Sequence, residues 1–189
     1  MSRLPAILIV FALFSLVFYT PSSFAGKKER YQEDVRKMAN QTLTRLYRAQ
    51  PKARNAINNA AGYAVFSNVG ITFLFAGGGK GSGIAYNNRD KDETFMKMVE
   101  GKLGLGLGIT KFRLIFVFDN EKLLDDFINK GWELDAQTTA AAKIENKGGS
   151  FEGSINVKPG IHLYQLTDEG LAVEVTGNLI KFYKDGKLN

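Results

Sequence analysis

The stretch from Gly62 to Gly83 reads GYAVFSNVGITFLFAGGGKGSG. It opens with an apolar run, residues 63–66, bounded by Gly62 and by the turn-like pair Ser67 and Asn68. A second apolar run covers 71–76, a glycine-rich break covers 77–83, and the pattern resumes at 84–86. Short runs of aromatic and β-branched residues between glycines are a strand pattern. The stretch therefore opens a sheet, and most of the chain beyond it also reads as strand.

Outward from this point the pattern continues. Residues 87–92 are a polar turn and 94–99 a strand. Residues 101–109 alternate strictly, so Leu103, Leu105, Leu107 and Ile109 line one face while Gly104, Gly106 and Gly108 leave the other bare. Glycine weakens a strand unless something approaches closely, so a helix packed on that face is expected, with a ligand as the alternative. Residues 111–119 (KFRLIFVFD) form a strongly apolar strand, and Asp119 or Asn120 can cap a helix over about 120–130, with Glu121 in its first turn and Gly131 ending it. Strands are then expected over 132–143, 150–157, 161–166 and 171–183.

Ahead of the sheet the reading is helical. Tyr31, Val35, Met38, Thr42 and Leu46 recur at helical spacing within residues 26–50, and Leu43 and Tyr47 widen the stripe. Pro51 starts a second short helix over 52–61, with Gly62 as its stop. The fold class is therefore α+β: N-terminal amphipathic helices followed by an antiparallel barrel or sandwich with one inserted helix. Strand and helix do not alternate regularly, which argues against a doubly wound parallel sheet.

Residues 1–25 have the pattern of an export signal: Arg3, an apolar run over 6–19, a break at Thr20-Pro21-Ser22, and the small-x-small site Ser23-Phe24-Ala25. The run is shorter than the roughly 20 residues that span a bilayer as a helix. The alternative is a retained anchor. Cleavage after Ala25 would leave residues 26–189 as the mature domain, a helical arm over 26–61 and a β-rich core over 62–189. The expected location is periplasmic or extracellular.

Net charge is +6, and it is unevenly spread. Residues 26–54 hold nine Lys or Arg against three acids, while the rest of the mature chain is close to neutral. The nine are Lys27, Lys28, Arg30, Arg36, Lys37, Arg45, Arg48, Lys52 and Arg54. Such a face is either plainly solvated or a docking surface for anionic head groups.

Several chemistries are poorly served. There is no cysteine, hence no disulfide, thiolate nucleophile or cysteine zinc site, and His162 is the single histidine. Asp125 with Asp126, and Asp168 with Glu169, are adjacent pairs whose side chains diverge on a helix or strand. No nucleophile, base and orienting group can be assembled, so no catalytic residue, metal site or cofactor is expected. Gly104-x-Gly106 lacks the following helix of a dinucleotide fingerprint, and Lys80 is followed by Gly81 rather than Ser or Thr, so no phosphate-binding loop is read there. No nucleic-acid partner is expected.

The ordered set of motifs resembles the SYLF domain family, found in bacterial secreted proteins and in eukaryotic actin- and phosphoinositide-associated proteins. The matching pieces are Gly62-Tyr63-Ala64-Val65-Phe66, Gly81-x-Gly83, Gly104-x-Gly106-x-Gly108, Leu124-x-x-Phe127, Gly131-Trp132-Glu133-Leu134, Ala136 with Ala140, and Glu169-Gly170-Leu171. They run from about Lys37 to Tyr183. Ser67 stands where the family often has proline, Ile71 where it often has lysine, and Val175-Thr176-Gly177 where it usually has Leu-Glu-Gly. The resemblance implies a non-enzymatic module that binds anionic lipid through its N-terminal amphipathic segment, the nine basic residues above. The alternative it implies is a protein-interaction module, like the actin-regulating members, with a protein partner and no lipid.

Overall fold

The computed structural model describes residues 22–135, 137–138, 152–168, 170–172 and 179–189, with side chains outside 22–25, 71–75, 102–110 and 172. Residues 1–21 of the expected signal segment 1–25 lie outside them, as do residues 139–151. Two compact units are distinguished, Met1–Tyr31 and Gln32–Asn189. The described part of the first is the opening of helix α1, Ser22–Ala49, with Tyr31 exposed rather than part of a buried stripe. All packing described below belongs to the second unit.

The architecture is α+β, with a curled antiparallel half-barrel sheet and three helices among the described residues. Its frame is one hairpin of two strands, β1 (Gly62–Asn87) and β2 (Glu93–Phe118), each 26 residues long. The pairing runs without interruption from Gly62 opposite Phe118 to Tyr86 opposite Glu93, apart from a register shift between Leu74 and Ala76. The polar turn falls where the sequence puts it. Asn87 Oδ1 accepts from the N–H groups of Arg89 (2.8 Å) and Asp90 (3.2 Å), and Lys91 takes φ 63°.

The remaining elements are short. Helix α2 is Ala53–Asn59 and helix α3 is Glu121–Lys130. Strands β3 (Trp132–Leu134), β4 (Ile155–Lys158), β5 (Ile161–Thr167), β6 (Gly170–Ala172) and β7 (Leu179–Lys184) complete the sheet. Its order is β3-β7-β2-β5-β4, with β1 on β2 and β6 on β5. The two halves of β2 have different outer neighbours: Met96–Gly101 pairs with β7, and Arg113–Phe118 pairs with β5.

Four expectations are corrected. The glycine run 77–83 and the pair Ser67 and Asn68 do not break the strand; both lie inside β1. The reason is close approach. A Cβ on Gly62 would strike the Tyr86 carbonyl, on Gly81 the Ser67 carbonyl, and on Gly83 the Phe66 ring. As one residue number rises the other falls, so the two arms of β1 lie antiparallel against one another where the sheet curls. Second, Gly62 starts β1 and is not a helix stop, since α2 ends at Asn59. Third, the strand at Trp132 ends at Leu134, and Gln137 and Thr138 are helical. Fourth, the stretch expected as one strand over 171–183 is described as two elements with different neighbours, β6 on β5 up to Ala172 and β7 on β2 and β3 from Leu179, and the residues between them lie outside the described ones. Gly104, Gly106 and Gly108 are in β2 as expected.

Each face of the sheet carries a core. On the concave face, Phe66, Phe116, Phe118, Met96, Leu163 and Phe182 pack with Leu124 and Phe127 of α3. Ring centroids are 4.8 Å apart for Phe66 and Phe182 and 5.0 Å for Phe118 and Phe127. Asn120 Oδ1 caps α3 by accepting from the Leu123 N–H (3.0 Å), and Gly131 ends it at φ 72°. On the convex face, Val35, Ala39, Leu43 and Leu46 of α1 and Ala53 and Ile57 of α2 cover Val65, Ile115, Val117 and Tyr164. Thr42 is fully buried there because its hydroxyl donates to the Met38 carbonyl (2.8 Å). Tyr63 and Tyr86, from opposite ends of β1, stack at 5.0 Å, and burial pushes the Tyr63 phenol up to about 12.

Replacing Gly83 with alanine puts a methyl group into the Phe66 ring. The expected loss is about 1–3 kcal/mol, the range for overpacked cores, read as a fall of several degrees in melting temperature. An unchanged melting temperature would show that the two arms of β1 do not touch.

Candidate anion-binding basin

Helical geometry places Gln41, Thr44, Arg45 and Arg48 on one side of α1 at spacings of three and four residues. Together with Arg113 of β2 they line an open basin. Arg113 stands opposite Ser67 on one side and Leu166 on the other, at the convex face. It follows Ile115 and Val117 by strict alternation, one step beyond the apolar part of that face. A smaller cavity of about 80 Å³ continues from the basin between Arg45, Lys111, Arg113, Asn68 and the end of β5 at Thr167 and Asp168.

The arginines are held differently. Arg45 is half-buried, and its Nη2 donates to the Thr167 carbonyl at 2.7 Å. Arg113 is half-buried, and burial, then the neighbouring Arg45 charge, hold its guanidinium below its ordinary range, with Asp168 opposing. Arg48 is exposed. Among the described residues no carboxylate comes within ion-pair distance of Arg45, Arg48 or Arg113. Like charges gathered this way disfavour one another and favour an anion between them.

The nine basic residues of the arm have different surroundings. Arg36 bonds Glu93 at 2.7 Å and lies 5.1 Å over the Phe95 ring. Lys52 pairs with Glu152 at 2.6 Å, and Arg54 lies 4.3 Å over the Tyr47 ring. These are internal uses, each worth little at the surface. Lys37 is exposed. Lys27, Lys28 and Arg30 belong to the first unit, where Arg30 Nε donates to the Gly26 carbonyl at 3.1 Å. The structure thus brings together Arg45 and Arg48 and adds Arg113 and Lys111, which charge counting along the arm overlooks. The signal for them is present: in KFRLIFVFD, the face carrying Ile115 and Val117 continues through Arg113 and Lys111.

The acidic pairs are dispersed. Asp126 is bonded by Lys122 (3.3 Å) and Lys130 (2.7 Å), which hold its carboxyl below the usual range, while Asp125 is exposed and Glu169 lies outside the described residues. His162 is buried on β5, with Nε2 3.4 Å from Asp119 Oδ2.

Fold and basin together define an α+β module whose half-barrel sheet presents a cationic surface basin. No family model matches the chain. The chain is similar to Beta cell expansion factor A of Aeromonas veronii, with 29% identity over 154 residues, 82% of this chain and 57% of that protein. It therefore spans little more than half the length of that curated relative. Among the described residues no helix is long and apolar enough to cross a membrane.

Burial holds the His162 imidazole below its ordinary value, with Asp119 partly opposing. The folded protein thus binds this proton less readily than the unfolded chain, and stability rises with pH. The contribution is complete above about pH 6.5, the unfolded value, and is lost as pH falls from there through the lower folded value. Urea melts from pH 7.5 to 5 should show falling stability in the wild type and a flatter profile in His162→Gln. Equal slopes would mean the histidine titrates alike in both states.

Proposed function

We propose that the chain is a SYLF-type module, exported by its first 25 residues, that binds anionic membrane surfaces without catalysing a reaction. The supporting observation is the set of cationic side chains on and beside α1 that have no carboxylate within ion-pair distance among the described residues: Lys37, Arg45, Arg48 and Arg113. Lys27, Lys28 and Arg30 belong to the same reading. Arg36, Lys52 and Arg54 contribute less, since each is engaged within the fold. The apolar side of α1 beyond Gln32 is spent on the convex core, so docking is by charge and not by insertion of that side.

Each lysine or arginine near an anionic leaflet is worth about 1 kcal/mol within a Debye length, and added salt weakens it. Liposome flotation with phosphatidylglycerol vesicles at low salt compares the wild type with the Lys37→Glu, Arg48→Glu variant. Reversing both charges should lower partitioning at least about tenfold. Equal flotation would set the membrane reading aside and leave the protein-interaction alternative.

A further inference from the structure

We propose that Arg45, Arg48 and Arg113 form a discrete site for the terminal group of a phosphate monoester. This rests on the membrane-surface reading and names what the basin itself takes. A flat array of head groups meets Arg48 and Gln41, which are exposed, but Arg113 is rooted in β2 and half-buried beside the helix. Only a group that projects into the basin can touch all three arginines.

A monoester fits that requirement. It carries a charge of about −1.5 to −2 at neutral pH and three acceptor oxygens on a free end. A diester carries one charge and is tethered on both sides. Guanidinium groups bind such oxygens in pairs of parallel hydrogen bonds. Arg45 spends one N–H on the Thr167 carbonyl, which fixes its plane and leaves its other donors. The Thr44 hydroxyl donates to the Asn40 carbonyl at 2.8 Å, so its proton is engaged and the donors left in the basin are the arginines and the Gln41 amide. Asp168 lines the inner cavity and opposes an anion without pairing with an arginine. The site is thus held short of its full strength, and neutralising Asp168 should tighten it.

The test compares vesicles carrying phosphatidic acid, a monoester, with phosphatidylglycerol vesicles, a diester, at matched surface charge. The full chain should prefer phosphatidic acid by at least about tenfold, the loss expected for one charge-assisted contact. Arg113→Gln should abolish the preference, so that the variant binds both kinds of vesicle alike. Asp168→Asn, an exposed change that tests the site without touching the core, should strengthen phosphatidic acid binding severalfold. Competition by glycerol 3-phosphate would mean the site accepts any monoester, soluble or membrane-bound; retained preference without competition would restrict it to the lipid. Binding of glycerol 3-phosphate with no vesicle binding would support the site and sink the membrane reading. Equal binding of both vesicles by the wild type, or a preference unaltered in both variants, would overturn the site and leave the membrane reading standing.

Discussion

The close approach of the two arms of β1 governs the rest of the molecule. A sheet of two long strands can curl this tightly only if side chains are missing where the arms meet, and Gly81 and Gly83 remove them. Curling separates the halves of β2, so one half receives β7 and the other β5. It also makes a concave face deep enough for the Phe66, Phe116 and Phe182 cluster and a convex face that α1 and α2 can cover. Buried Asn68 of the first arm donates through its amide to Glu100 of β2, which pairs with Gly79 of the second arm.

The basin follows from that geometry. Arg113 continues the convex face past its apolar residues, and α1 crosses where Arg45 can reach the end of β5. Neither element makes the basin alone. The helix supplies the exposed Arg48 and the half-buried Arg45, and the strand supplies Arg113, which is partly withheld from water and opposed by the Arg45 charge.

Much of the fold was legible from local pattern. The turn at 87–92, the apolar strand ending at Phe118, the Asn120 cap and the Gly131 stop all depend on nearest neighbours, and the structure places them accordingly. The glycine run was misread because glycine signals a break locally, whereas here its use is tertiary: it admits the other arm of the same strand. The strand at Trp132 was read as too long because its length is not set by residues nearby. For the basin, Arg45 and Arg48 were legible from charge and helical spacing. Arg113 was not, since counting charges along the arm cannot see a residue 65 places beyond Arg48 that the sheet brings alongside. Arg36, Lys52 and Arg54 were counted as free because their partners Glu93, Glu152 and Tyr47 include two that are distant in sequence.

The long hairpin also sets an order of assembly. Pairing beside the Asn87–Asp92 turn closes a short loop, as with Tyr86 and Glu93, whereas Gly62 and Phe118 enclose the whole hairpin. Loop-closure entropy grows with separation, and distant pairings are reached late unless nearer ones precede them. The hairpin is therefore expected to zip outward from its turn, where Lys91 holds a left-handed conformation in the folded protein. The arms of β1 meet only when the strand is nearly complete, and the convex face that receives α1 exists only after that. The helix is made early by local hydrogen bonds, but the landing place for Arg45 at Thr167 is among the last parts of the domain to form.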